Sequence, residues 1–529
     1  MKTRYGLPNR AIRKTAVIVA ALAAASSANA LYFEFGDDAA WQLDWDTNIS
    51  YTAQWRVAKQ DDDQFAYKDL GGNDPIASLR RHTVLINAND GDNNFNRSLV
   101  QNKVGFVTEM DLAWRNYGLF ARARGYYDDV YDHRTDQSEE DFLTYNSGNS
   151  PAIGGTTDFR RFPDGAVDEH RDRLEMLDYF VYADGELPGN RLFSLRLGSQ
   201  VINWGEATFT SGINGLQNRA DLIARNTPGV EVKEILLPTG AIYGQVDVIP
   251  DVTFEAYYQY EWKKTELNGV GSFFSDRDFL GPGAENFLIS LGPDNFAVAP
   301  RTPDEAASDS GQWGTALHWI VIGDINAHSK APAYRLNYDG VLPKDYTIVY
   351  FEDIQGYAAS FTTVVANTNI QGEVSYKTDT PVVLLDGDPV DGDLASYQLG
   401  GSYVFEPTPL WDDANLTFEL AGAYITSQDS AELLYDDHAT VINLRMELAY
   451  LNLLPGLDLK VPIFLRRGLD GNILETEMVE DSSAFNITFQ FVYLNNFTTS
   501  IGYSNFFDGG ENTYINDRDN VSVSFAYSF

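Results

Sequence analysis

The side chains able to do covalent or acid–base chemistry in this sequence are few and scattered. Six histidines (His82, His133, His170, His318, His328 and His438) are spread along the chain, and there is no cysteine. A nucleophile system needs a His within hydrogen-bond reach of a Ser and a third group to orient the ring. His328-Ser329 is the nearest approach, but Lys330 follows and no orienting partner is evident, so a polar strand or turn position is the simpler account. Without cysteine there is no disulfide framework, thiolate metal site or lipid-modified N-terminal Cys. Asp386, Asp388, Asp391 and Asp393 stand in two Asp-Gly-Asp runs with the carboxylate density of a calcium loop, but the Glu that completes an EF-hand is missing. Turn chemistry explains those runs with fewer assumptions, and they stay a weak calcium candidate. No enzyme activity and no cofactor is expected.

Charged side chains gather differently in residues 203–237, NWGEATFTSGINGLQNRADLIARNTPGVEVKEILL from Asn203. The segment mixes aromatic, amide and charged residues and is too apolar for a plain solvent loop. Asp221 to Arg225 fits one helical turn, Pro228-Gly229 a tight turn, and Glu231 and Lys233 project to one side of an extended piece. Trp204, Glu206, Asn214, Asp221, Arg225, Glu231, Lys233 and Glu234 are the candidate residues for lining or bracing a pore. The equal alternative is that the charges are paired to pin the segment to a wall and touch no solute, because buried charges require partners in either case.

The elements that position this segment read as β-strands. Residues 43–57 alternate apolar and polar side chains for long enough to cross a membrane at a tilt. Strands follow at 100–115 and 117–130, at 174–183 and 191–202, at 240–249 and 252–263, and at 312–320. The region 325–353 is ambiguous, with extended pieces at 334–338 and 346–351. Further strands are expected at 356–365, 368–377, 394–405, 414–426, 440–452, 457–467, 484–494 and 497–505. Long polar connections, among them 379–393, alternate with tight turns such as Pro250-Asp251 and Asn495-Asn496, as extracellular loops and periplasmic turns do in outer-membrane barrels. The last nine residues place Val521, Val523, Phe525, Tyr527 and Phe529 on one face and Ser522, Ser524, Ala526 and Ser528 on the other. Such a strand is an aggregation hazard unless barrel closure removes its edge. Parity gives an all-β transmembrane antiparallel barrel of about 18 strands, with 16 as the alternative count, and 203–237 follows the fifth strand as an inward-folded loop.

The N-terminus and the composition agree with export. Lys2, Arg4, Arg10, Arg13 and Lys14 precede an apolar run at 16–25 and the small-x-small site Ala28-Asn29-Ala30, so residues 1–30 read as a signal peptide and 31–529 as the barrel domain. No later apolar run is long enough for a helical span, whereas 30 Tyr, 31 Phe and 9 Trp supply the aromatic girdles a membrane barrel needs. The formal net charge of −38 makes nucleic acid an improbable partner. At a lipopolysaccharide surface, acid-rich loops can be neutralised by bridging divalent cations, although solvated loops are the plainer account of any one cluster.

Two stretches resemble a known family. Arg196-Leu197-Gly198-Ser199-Gln200-Val201-Ile202-Asn203-Trp204-Gly205-Glu206, followed by Gly212-Ile213-Asn214, Arg225, Pro228-Gly229 and Lys233-Glu234, is similar to a large family of proteobacterial outer-membrane proteins still labelled a domain of unknown function. Glu352-Asp353-Ile354, Gly356 to Phe361 and Gly372-Glu373-Val374-Ser375-Tyr376 form a second match, and the terminal strand resembles the barrel-assembly signal, carried by Val523, Phe525, Tyr527 and Phe529. The resemblance implies a barrel in the outer membrane of a Gram-negative bacterium, handled by the barrel assembly machinery. It further implies traffic of lipids or other hydrophobic molecules beside an envelope lipoprotein or a pump. The expectation is passive passage of a small hydrophobic or amphipathic solute. A cation-preferring general porin and a surface adhesin acting through its acidic loops are the alternatives.

Overall fold

The computed structural model describes residues 31–61, 75–138, 160–210, 212–292, 295–318, 321–473, 478–509 and 513–529. The signal-peptide reading of residues 1–30 lies outside them. Within them 18 antiparallel strands close into one barrel. In chain order these are β1 (Trp41–Arg56), β2 (Leu99–Trp114), β3 (Tyr117–Asp128), β4 (Asp172–Leu187), β5 (Arg191–Gln200), β6 (Thr239–Ile249), β7 (Val252–Gln259), β8 (Gln312–His318) and β9 (Val321–Ala327). The circuit continues through β10 (Ile354–Val365), β11 (Thr368–Val383), β12 (Pro389–Phe405), β13 (Asp413–Ile425), β14 (His438–Leu454), β15 (Leu457–Ile473), β16 (Ser483–Tyr493), β17 (Phe497–Phe507) and β18 (Asn520–Ser528). Each strand pairs with its neighbours in sequence, and β18 pairs back onto β1 from Asn48↔Ser528 to Arg56↔Asn520.

Alternation decides which way each side chain points. On β1 the Thr52 hydroxyl donates to the Pro228 carbonyl inside the barrel at 3.1 Å, which fixes the even positions of that strand as inward. Outward residues such as Ile242, Val374, Leu399 and Ile501 are about half exposed. Side chains of this size lose roughly 1.5–3 kcal/mol each when left in water, so the outer wall requires an apolar surround. Closure satisfies every strand edge, the condition for crossing a bilayer with strands. Val523 and Phe525 of β18 sit on this outer wall, where Phe525 meets Tyr51 of β1 at 6.4 Å between rings. Phe529 completes the seam by exchanging backbone hydrogen bonds with Thr47 at 2.7 and 2.9 Å.

At its other end the seam is tied by charge. Arg56 pairs with Asp92 at 2.5 Å and Asp517 at 2.7 Å, while Arg518 reaches the same two carboxylates at 3.3 and 3.6 Å. All four side chains are nearly water-free, and both guanidinium groups lie over the Phe273 ring at 5.9 and 5.6 Å. Phe273 belongs to the connection 260–311, which leaves β7 and returns to β8. Its neighbour Phe274 meets Phe506 of β17 at 6.2 Å, on the far side of the barrel, so this connection lies across the mouth. Phe95, Val100, Val130, Tyr131 and Phe162 pack with Phe273 into one apolar cluster beneath it. His170 takes part as an acceptor, its Nε2 receiving the Gly269 N–H at 2.8 Å; burial pulls its pKa down to about 3 and keeps the ring neutral.

Four expectations change. The ninth strand is β9, which follows β8 directly, while the extended pieces in 325–353 pair with each other as a separate hairpin, Ala333–Tyr338 with Pro343–Val349. β9 is hard to read because its polarity is inverted: Gly323, Ile325 and Ala327 face inward and Ile322, Asp324 and Asn326 outward. β7 stops at Gln259, and Trp262 leaves the wall to donate its indole N–H to Ser329 O at 3.1 Å. Most of the supposed loop 379–393 is strand, with Asp391 on β12 and only residues 384–388 turning. The four aspartates there are not gathered. Asp386 accepts the Asp388 N–H at 3.1 Å and Asp393 accepts the Tyr376 hydroxyl at 2.9 Å. Among the described residues no group of three or more His, Asp or Glu stands close enough to hold a metal ion. His328 takes the Asp353 N–H on Nδ1 at 3.1 Å and so donates from Nε2 to Ser310 O at 2.8 Å, a state that leaves no ring acceptor for a serine proton.

Replacing Arg518 with Met leaves Asp92 and Asp517 buried without one of their cations. The expected loss is about 3–5 kcal/mol, read as a lower urea midpoint for the barrel in vesicles; an unchanged midpoint would show that the seam does not depend on this knot.

Candidate functional site: a loop braced across the barrel

Residues 203–237 leave the wall after β5 and fold as two lobes. In the first, Asn214 turns the chain back by accepting the N–H groups of Trp204 and Gly205, each at 3.0 Å. Asn218 does the same for Ile202 at 3.1 Å. This presses Trp204, Ile213 and Leu216 onto the inner faces of β6 to β10, where they join Tyr257, Ala316, Ile325 and Ile354 in one buried cluster. Trp204 donates its indole N–H to Glu255 of β7 at 2.6 Å. Glycine makes room for the ring, since a Cβ on Gly314 would stand 2.9 Å from it.

The tip of this lobe is held by carboxylates that the wall supplies. Glu419 of β13 accepts three successive N–H groups, from Thr208, Phe209 and Thr210, at 2.8, 3.0 and 2.9 Å, and also the Thr210 hydroxyl. Glu373 of β11 accepts the N–H groups of Glu206 and Ile213 at 3.2 and 2.7 Å. Gln371 donates to the Glu206 carbonyl at 2.7 Å. Consecutive backbone N–H groups converging on one oxygen pair make an anion nest, here occupied by the protein's own side chain. Phe209 reaches past it to Phe464 of β15, with 5.5 Å between rings.

The second lobe is held by ion pairs on the opposite wall. Asp221 caps the helix Leu222–Arg225 through the Ala224 N–H at 2.9 Å and pairs with Arg124 of β3. Arg124 also binds Glu175 at 2.7 Å and the Glu234 carbonyl at 2.8 Å. Arg173 and Arg219 meet Glu266 at 2.5 and 2.9 Å. Lys233 lies between Glu109 of β2 at 2.9 Å and Glu231 at 3.1 Å, and Glu231 also takes an N–H from Asn48 of β1 at 3.1 Å. Glu231 and Glu234 form a capping box on the helix Val232–Ile235. Gly229, at φ 84°, comes so near β18 that a Cβ there would lie 3.5 Å from that of Ser524.

These surroundings set the charges. Burial works against ionisation of Asp221, but Arg124 and the Ala224 N–H outweigh it and hold the carboxyl below its ordinary range. Burial likewise opposes the Lys233 charge, and the bond to Glu109 overcomes it, raising the ammonium pKa. Glu234 goes the other way, raised by burial.

Of the eight sequence candidates, Asp221, Glu231, Lys233 and Glu234 meet at the β1–β3 wall, and Trp204, Glu206 and Asn214 gather at the wall of β7 to β11. Arg225 is exposed on its short helix. One segment thus touches walls on both sides of the interior. The wall acids Glu255, Glu373 and Glu419 are not among the site candidates, although Glu373 lies in the second family match. Their signal is a carboxylate at an inward strand position among small neighbours, as in Gly372-Glu373 and Glu419-Leu420-Ala421.

Fold and site together define a closed, apolar-walled β-barrel with one connection bound across its interior. The chain belongs to the family described as a protein of unknown function (DUF1302), which matches residues 11–529. No curated protein matches the sequence. Among solved structures it is similar to OccAB1 of Acinetobacter baumannii, at 10% identity and a TM-score of 0.44 over 95% of this chain and 99% of that one. It is also similar to Pseudomonas aeruginosa OccK2 (OpdF) in complex with glucuronate, at 10%, 0.40, 94% and 99% respectively, and to the outer membrane channel DcaP of Acinetobacter baumannii, at 9%, 0.36, 94% and 99%.

Two expected outcomes follow from the anchoring. Hydrogen bonds to a charged group contribute roughly 1.5–3 kcal/mol each, so Glu373→Ala with Glu419→Ala frees the first lobe, and chymotrypsin cuts after Phe209 about tenfold faster while the barrel stays folded; equal cleavage would mean the carboxylates are not the anchor. For Asp221 the folded pKa is depressed, so its contribution is present above the ordinary carboxylate range and lost as pH falls through the lower folded value. Asp221→Asn should abolish that acid-side loosening, read as the pH dependence of pepsin cleavage within Leu222–Arg225.

Proposed function

We propose that the protein is an outer-membrane channel of a Gram-negative bacterium that passes small amphipathic solutes through a lumen narrowed by residues 203–237. The observation that carries this reading is the wall facing the loop tip. Where Phe209 meets Phe464, the register sets Phe464 beside Arg445 of β14 and Asn486 of β16. Arg445 is 46% exposed and bound by Glu447 at 2.5 Å. Arg466 and Lys460 share its inward face by alternation. An aromatic ledge beside three cations suits a solute with an apolar body and an anionic end.

The acidic excess of the whole chain does not extend to this wall, so the cation-preferring porin has less local support. The adhesin alternative acts through the long acidic loops, and residues 272–311, one of these, belong to the connection that lies across the mouth, so trimming them would alter access to the lumen. In this proposal the tight turns face the periplasm and the long acidic connections face lipopolysaccharide, with bridging divalent cations. The assembly machinery reads Val523, Phe525, Tyr527 and Phe529, and an envelope lipoprotein or pump is the partner to seek.

Planar-bilayer recording in a KCl gradient tests the channel. The expected result is an anion-preferring conductance that sodium decanoate blocks, with both properties weakened severalfold by Arg445→Gln with Lys460→Gln. A cation-selective pore indifferent to decanoate would refute the cargo, and silence at every voltage, even after cleavage within 260–311, would refute the channel.

A further inference from the structure

The bilayer-facing side of β7 to β11 carries a groove of about 590 Å³. Phe254, Leu317, Ile322, Tyr357, Val374 and Tyr376 form its sides, and small residues such as Thr315, Gly323 and Ala359 its floor. Asp324 belongs to that floor. Its register partners are Thr315 on β8 and Tyr357 on β10, both outward, so the carboxyl group faces the surround of the barrel and not the lumen. One of its carboxylate oxygens is buried and has no hydrogen-bond partner.

An acidic side chain on a lipid-facing wall is costly, and a buried acceptor without a donor adds about 1–3 kcal/mol. Among the described residues nothing supplies that donor, so it comes from outside the chain, and the apolar sides of the groove favour the head of a molecule in the bilayer over water at the interface. Shape narrows the choice. A second barrel would present a convex wall, which cannot fill a groove, whereas a volume of this size falls within the roughly 300–1,000 Å³ of small-molecule sites. The sector is also low: β8 and β9 have 7 residues each, against the roughly 9–11 of a full membrane crossing. A polar head at Asp324 therefore stays near the interface while its chain lies along the apolar sides.

We propose that this groove docks a single-chain amphiphile from the bilayer, with the alkyl chain along the apolar sides and a hydrogen-bond-donating head, hydroxyl or ammonium, on Asp324. The groove and the loop foot are two faces of one thin wall, because Trp204 packs on the lumen side of Gly314 and Gly323, with a Cβ on either lying 2.9 or 3.8 Å from its ring. The docking site nevertheless lies outside the barrel, so it stands or falls separately from conduction.

The test uses the full barrel in phosphatidylcholine vesicles, with dodecylamine, 1-dodecanol and sodium dodecanoate as probes, read by native mass spectrometry on extraction into mild detergent. Asp324→Leu removes the acceptor and Ala359→Phe fills the floor, and resistance of the unheated band to unfolding in detergent reports that each barrel is intact. The expected result is that dodecylamine and dodecanol stay bound to the parent chain, that both variants lose them by at least tenfold, and that dodecanoate, which brings no donor, is not retained. Equal retention by all three proteins would reduce binding to partition and overturn the proposal. So would dodecanoate binding as well as the amine, or a change of oligomeric state in Asp324→Leu with binding unaltered, which would make a second copy the occupant.

Discussion

A closed barrel satisfies its own wall and leaves its interior unsolved, and here the interior is organised by carboxylates pointing inward from the strands. Glu255, Glu373 and Glu419 each stand at a position where a free carboxylate would be exposed to a confined, partly apolar space. Each is instead used by residues 203–237, through the Trp204 indole N–H or through backbone N–H groups. Backbone donors are obligatory hydrogen-bonding groups, so a connection with only single turns of helix and one short strand pair of its own is given a defined path across the lumen by acceptors that the wall holds rigidly. The opposite wall answers with arginines, and Arg124 and Arg173 both face Asp221 of the second lobe.

This explains the unequal legibility of the sequence. Strands whose apolar side chains face out, such as β1 and β18, announce themselves by alternation, and a tight turn like Ala366-Asn367, with Ala366 at φ 54°, marks the hairpins between them. β9 escapes because a wall that carries an apolar loop foot inside has no need of apolar residues at each outward position, so its pattern reads in reverse. The inward-folded segment stands out by composition, yet its anchors do not, because one Glu in a strand looks the same whether it meets solvent or receives a nest of N–H groups. The connection 260–311 hides its role in the sequence. Its Gly, Asp and Ser residues resemble a solvent loop, and only its aromatic pair, Phe273 and Phe274, carries it across the mouth.

The same economy of space connects the two faces of β8 and β9. Gly314 and Gly323 are small because the Trp204 ring lies against them from within. The thin wall that results is where the outer surface becomes concave and where Asp324 is tolerated. Loop placement, strand polarity and the outer groove therefore share one cause.

The central claim is that residues 203–237 bind walls on both sides of the interior, and the absence of native cysteine makes cross-linking its most direct measurement. Gly229→Cys with Ser524→Cys places two Cβ atoms at the roughly 3.5–4.5 Å suited to a disulfide. Thr208→Cys with Gln371→Cys, at positions whose side chains meet at 2.5 Å, takes a short bismaleimide on the other side. Both links are expected to form in the intact membrane and to appear as joined peptides after proteolysis. Failure of both in a folded barrel would contradict the account, because the loop would then lie outside the lumen.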